Sequence, residues 1–180
     1  MRRILNIDKG WLFYKNTDDV NVSGGGVDVD LPHTWNASDG QDGGNDYFRG
    51  KCVYKKTLKA SELSEGERHY LEVEGANSIA EIFINGTKIC RHEGGYSTFR
   101  CDITDYLERK NEICIVVDNG KSDSVYPEMA DFTFYGGLYR SVNIISVPKT
   151  HFELLYYGTP GIKVTPTVFE NSATVKTEAS

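Results

Sequence analysis

The chain has 180 residues, 39% hydrophobic and 12% aromatic, with eighteen glycines and eleven tyrosines. That is enough for one sizeable core, and the composition suits an all-β protein rich in turns. A formal net charge of −6, with basic residues scattered singly or in pairs, excludes the phosphate-binding stripe a nucleic-acid partner needs. No apolar run approaches the roughly 20 residues that cross a bilayer, so a membrane-spanning helix is excluded as well.

Taken in chain order, the N-terminal MRRILNIDKGW turns polar too soon to be a secretory signal. A cytoplasmic location is expected, or a periplasmic or secreted one if a signal precedes this stretch. "VDVDLP" (27–32) reads as a short strand stopped by Pro32, after a glycine-rich hairpin tip. "KCVYKKTLK" (51–59), "HYLEVEG" (69–75) and "SIAEIFING" (78–86) follow as strands with period-two alternation. Asn85-Gly86 is a hairpin signal, because both central residues of a type I′ turn need positive φ. "TKICRHEGG" then supplies the return strand, "STFRCDIT" and "NEICIVVDN" two more, and "LYRSVNIISVP" the last before Pro148. Helix is expected only as a turn in "ASELSEGE" (60–67) and one in "DITDYLERKN" (102–111), the second capped by Thr104 or Asp105.

Strands at this spacing indicate a sandwich or barrel. Two stretches, 33–50 and 119–137, are too long for tight turns and combine Asp with Tyr and Phe, the composition of ordered functional loops. After Pro148 come one strand-like run, two Thr-Pro steps and "SATVKTEAS". This reads as a linker followed by the opening strand of another β module. Cys52, Cys90, Cys101 and Cys114 show no C-x-x-C spacing, so they are expected as reduced, buried thiols and not as zinc ligands.

Four separated stretches, in this order, carry a family resemblance. They are Gly10-Trp11-Leu12-Phe13, Leu31-Pro32-His33-Thr34-Trp35-Asn36, Gly94-Gly95-Tyr96 with Phe99 and Asp102-Ile103-Thr104, and Asp131-Phe132-Thr133-Phe134-Tyr135-Gly136-Gly137-Leu138-Tyr139-Arg140. Together they resemble glycoside hydrolase family 2, whose members include β-galactosidases, β-glucuronidases and β-mannosidases, over roughly residues 5 to 148. The last stretch looks most like the β-galactosidase branch. Two positions depart from the family pattern: Val53-Tyr54 stands for a Trp-Tyr pair, and Arg140-Ser141 for an Arg-Asp step.

The resemblance implies a galactose-binding-domain-like jelly-roll sandwich over 1–148. It further implies that 149–180 are a linker and the truncated start of an immunoglobulin-like domain, with a TIM barrel beyond. The family's catalytic glutamates lie on that barrel, and a barrel alone takes about 250 residues. This chain is therefore expected to be inactive alone and to serve a retaining exo-glycosidase that cleaves β-galactosides. It would pack on the immunoglobulin-like and barrel domains, with a homo-oligomer possible in the full enzyme. No cofactor is assigned to this chain; Mg²⁺ or Na⁺ belongs to the full enzyme.

The candidate substrate-binding residues are Asp131, Asn36, Asn45, Asp46, Phe134 and Tyr135. In the β-galactosidase branch, Asp131 resembles the aspartate that reaches from this domain into the barrel's site. An ionised carboxylate offers only acceptors, which is what sugar hydroxyls need. The alternative is a loop carboxylate that caps backbone N–H groups or pairs with Arg140. Asn36, Asn45 and Asp46 are candidates for the pocket rim. Phe132, Phe134, Tyr135 and Tyr139 could stack on a sugar, although core or interdomain packing is the stronger expectation, with Tyr139 in the core. His33 lacks a neighbouring nucleophile and is expected to anchor its loop, with Trp35 packed beneath. A self-sufficient lectin-like module and a purely structural domain are the readings from other classes.

Overall fold

The computed structural model describes residues 1–39, 47–63, 67–126 and 133–180. The longest alternation in the sequence sets its centre. In the strand Lys110–Asp118, Ile113, Ile115 and Val117 turn to one face while Cys114 and Val116 turn to the other. This strand, β9, pairs antiparallel along its whole length with β4, Lys51–Lys59. To one side lie β2 (Trp11–Tyr14) and β3 (Val27–Val29), and to the other β6 (Ile79–Ile84) and β7 (Thr87–Glu93). The sheet order is β3-β2-β4-β9-β6-β7. A second antiparallel sheet has the order β1-β10-β5-β8, built from Arg3–Asn6, Val142–Val147, Arg68–Val73 and Phe99–Asp102.

The inner faces enclose one core that includes Trp11, Tyr54, Leu71, Ile82, Ile113 and Ile144, all fully buried. Each such aliphatic side chain contributes about 1.5–3 kcal/mol by leaving water. The expected all-β jelly-roll sandwich is the architecture that forms. The β6–β7 hairpin turns at Asn85 and Gly86, with φ of 50° and 78°, as the Asn-Gly signal requires. The outer face of the larger sheet buries Tyr14, Val53, Cys114 and Val116 under Val20 and Val22. Burial pushes the Cys52 thiol up to about 11 and the Cys114 thiol up to about 12, so both stay protonated.

Several local expectations change. The strand β1 was not legible, and β10 begins at Val142, not at Leu138. Leu138, fully buried, takes the core place expected for Tyr139. Tyr139 is half-buried under the Arg140 guanidinium, and its hydroxyl donates to the Gly95 carbonyl. The helical turn after β8 spans Thr104–Tyr106 with Ile103 at its N-cap, so neither Thr104 nor Asp105 caps it. Instead Asp102 Oδ1 accepts from the Thr104 N–H at 3.0 Å.

One cross-strand row of the smaller sheet is polar across all four strands: Arg100, Glu72, Asn143 and Asn6. Arg100 Nε donates to Glu72 Oε2 at 2.6 Å, Asn143 Nδ2 to Glu72 Oε1 at 3.2 Å, and Asn6 Nδ2 to Asn143 Oδ1 at 3.1 Å. Residues 151–159, in the stretch expected as a linker, cover this face. Arg100 Nη1 donates to the carbonyls of Leu154 and Thr159, at 3.1 and 2.9 Å, and Tyr70 OH meets His151 Nε2 at 2.8 Å. Beyond them β11 (Ile162–Val168) and β12 (Ala173–Ala179) form a hairpin whose residues are all exposed, with Pro166 inside β11.

Candidate functional site

The two long loops meet at one end of the sandwich. "LPHTWN" enters from β3, and its ring-bearing residues fasten it inward. His33 Nδ1 lies 2.7 Å from Tyr54 OH, and the His33 ring packs 4.7 Å from Phe13. Trp35 is buried and stacked on Phe13 at 6.1 Å. The expectation that His33 anchors the loop over Trp35 therefore describes the geometry. Burial lowers the His33 pKa below its ordinary 6.5, and that of His92 likewise. A folded-state value below the unfolded one favours the neutral ring, so the stability it brings is present above pH 6.5 and lost as pH falls through the depressed value. The urea midpoint should drop between about pH 7 and about pH 5, and His33→Gln should flatten part of that drop. An unchanged pH profile in the variant would contradict this assignment.

Asn36 does not reach a pocket rim. It is fully buried, and its amide is saturated within the protein. Asn36 Nδ2 donates to Asp39 Oδ1 and to the Phe48 carbonyl, each at 2.9 Å. Its Oδ1 accepts from Gly136 N at 2.8 Å and Asn119 Nδ2 at 3.2 Å. Two donors and two acceptor sites are thereby used, leaving none for a sugar. Asn45, Asp46, Asp131 and Phe132 lie outside the described residues.

Phe134 and Tyr135 flank the same point but face differently. Phe134 is buried, with the Arg49 guanidinium 5.9 Å from its ring, while Tyr135 is 42% exposed. Arg49 also lies over the Tyr47 ring at 4.7 Å and donates to the Tyr47 hydroxyl. Arg140, the alternative partner considered for Asp131, donates to the Tyr96 carbonyl at 3.1 Å. A small cleft of about 20 Å³ lies here, lined by Arg49, Asn77, Tyr96, Asn119, Tyr126 and Phe134 among others, with room for about one water and none for a sugar ring. A larger groove, of about 710 Å³, lies on the outer face of the six-stranded sheet between Leu12, Asn21, Asp28 and Lys55, and shares no residue with this pocket. Among the described residues no group of three or more His, Cys, Asp or Glu side chains converges as a metal site would require.

The Gly-Gly step has a steric cause. A Cβ at Gly136 would lie 2.1 Å from Trp35 Cζ2 and 2.7 Å from Asn119 Nδ2, and one at Gly137 would lie 2.8 Å from Tyr54 OH. Gly136→Ala should destabilise the domain by about 1–3 kcal/mol through overpacking, read as a lower urea midpoint at unchanged slope. A midpoint equal to that of the parent would contradict the close approach.

Sequence reasoning missed Asn77, Asn119 and Arg49. The two asparagines stand beside strand ends in "EGANS" and "VVDNG", where Asn reads as a turn former.

The chain is similar in sequence and fold to known proteins. The family described as glycosyl hydrolases family 2, sugar binding domain, matches residues 27–148. A beta-glucuronidase of Bacteroides fragilis is 42% identical over 136 residues, covering 74% of this chain and 20% of its own length. A beta-galactosidase of Thermoanaerobacter pseudethanolicus is 29% identical over 170 residues, covering 87% of this chain and 22% of its own. The crystal structure of an FMN-binding beta-glucuronidase from Facaelibacterium prausnitzii L2-6 superposes with a TM-score of 0.84 at 45% identity. That match covers 99% of this chain and 28% of that one. The chain thus spans about a fifth of the length of the curated relatives it matches.

Proposed function

Because the chain belongs to the sugar-binding-domain family of the family 2 glycosyl hydrolases, we propose that it is the N-terminal accessory domain of a retaining exo-glycosidase. The observation that carries this reading is the pair of coverages, 99% of this chain against 28% of a solved glycosidase. Hydrolysis with retention needs two carboxyl groups about 5–5.5 Å apart across the scissile bond, and in this reading both stand on a barrel in the rest of the protein. This domain gives that site a loop. Asp131 accepts hydrogen bonds from sugar hydroxyls there, the exposed Tyr135 ring offers an apolar face, and Asn45 and Asp46 stand at the rim.

The exposed β11–β12 hairpin is read as the start of an immunoglobulin-like sandwich. A two-stranded ribbon is marginal in water alone, and Val164, Val168, Phe169 and Val175 are all more than half exposed. Any Mg²⁺ or Na⁺ would belong to the rest of the enzyme.

For the substrate, the "ADFTFYGGLYR" motif looks most like the β-galactosidase branch, while the higher identities, 42% and 45%, are to beta-glucuronidases. The identities favour a β-glucuronide, and the motif keeps a β-galactoside as the second reading. Measuring kcat/KM of the full-length protein on p-nitrophenyl β-D-glucuronide and β-D-galactoside decides between them. A preference of at least tenfold for the glucuronide is expected, which is about 1.4 kcal/mol of transition-state discrimination. The reverse preference would establish the galactoside, and cleavage of neither would remove both substrate readings.

A further inference from the structure

Three asparagines from separate parts of the chain converge on the backbone of residues 134–136. They precede β6 (Asn77), follow β9 (Asn119) and end the "LPHTWN" loop (Asn36), and they are 5%, 3% and 0% exposed. Asn119 Nδ2 donates to the Phe134 carbonyl at 3.3 Å, Asn77 Nδ2 to the Tyr135 carbonyl at 2.9 Å, and Asn36 Oδ1 accepts from Gly136 N at 2.8 Å. Three consecutive residues are therefore fastened by side-chain amides. Among the described residues, strand pairing reaches this segment through an isolated bridge between Asn77 and Gly137. Asn119 is also tied to the other long loop, since its Oδ1 accepts from Gly50 N at 2.9 Å and its Nδ2 reaches Asn36 Oδ1. The Tyr47 hydroxyl adds a fourth tie, accepting from Phe134 N at 3.3 Å.

We infer that Asn36, Asn77 and Asn119 are positioning residues for the glycosidase reaction, a clamp that sets where the 133–137 backbone stands. This rests on the reading of Asp131 as the sugar-binding carboxylate, three positions before Phe134. An amide suits the task because it donates and accepts at once and so joins two loops at one point. The paired contacts make a network whose members act together. Each of the three amides is bonded within the protein, to the backbone of residues 134–136. Their effect passes through the loop, and a misplacement of about 1 Å at a reacting centre lowers rate by about a hundredfold.

The test uses the full-length enzyme, with active sites counted by a covalent glycosidase inhibitor so that unfolded protein does not enter the rate. Asn119→Asp keeps the acceptor for Gly50 and removes the donor to Phe134, and Asn77→Asp removes the donor to Tyr135. Each should lower kcat/KM per active site on p-nitrophenyl β-D-glucuronide or galactoside by about 10- to 100-fold. In an Asp131→Asn background, the same changes should lower it less than about threefold further, because the group they position is already altered. Unchanged activity per active site, equal losses in both backgrounds, or failure of both variants to fold would each overturn the clamp and leave a structural role. Full activity of Asp131→Asn alone would instead sink the reading on which the clamp rests, and the clamp with it.

Discussion

Asp131→Asn in the full-length enzyme should lower kcat/KM by about a hundredfold, close to 2.7 kcal/mol, while the unfolding midpoint of the N-terminal domain stays where it was. The size follows from the bond being replaced. Hydrogen bonds to an ionised acceptor contribute about 1.5–3 kcal/mol, more than neutral ones. Asparagine keeps one acceptor and turns the other toward the sugar as an NH₂ donor, so a hydroxyl that donated now meets a second donor. If the contact strengthens as the glycosidic bond breaks, the loss falls on kcat as well as on kcat/KM. A rise in KM alone would mean uniform binding, and unchanged kinetics would leave Asp131 as a loop carboxylate that caps its own backbone.

The largest effect on stability is expected at Arg100. Its side chain and that of Glu72 are 8% and 9% exposed, and the guanidinium also supplies the carbonyls of Leu154 and Thr159. Arg100→Met keeps much of the bulk but strands a buried carboxylate and removes donors from two carbonyls. Breaking one side of such a pair costs about 3–5 kcal/mol. In urea the midpoint should fall at unchanged slope, and proteolysis should open the 151–159 segment that Arg100 holds down. The double variant Arg100→Met, Glu72→Met should recover most of the loss, because an apolar pair has no stranded charge. Equal losses in the single and double variants would contradict this account and point to packing alone.

How much was legible depended on whether the cause was local. Period-two alternation in "NEICIVVDN" and "KCVYKKTLK" located β9 and β4 and so the middle of the larger sheet, and Asn85-Gly86 located its hairpin. Edge strand β1 gave no such signal, because it is mostly exposed on both faces and is fixed by pairing with β10 far along the chain. Glu72 and Asn143 are polar residues in strands, yet both are buried, Glu72 against Arg100 and Asn143 against Glu72 and Asn6. At the candidate site, the motif pointed to His33, Trp35 and the Gly-Gly step, and each has a packing reason that the structure supplies. Asn36, Asn77 and Asn119 were not legible as a unit. Their partners stand up to 100 residues away, and nothing local distinguishes a buried amide from a turn former.

The central claim is that this domain shapes a glycosidase site without containing the chemistry. It is tested most directly by assaying the 180-residue chain and the full-length protein side by side on p-nitrophenyl β-D-glucuronide and β-D-galactoside, following the anomeric product by NMR. The account predicts that the full-length protein releases the β-anomer and that the chain alone releases nothing above background. Hydrolysis by the chain alone, or release of the α-anomer by the full-length protein, would contradict it.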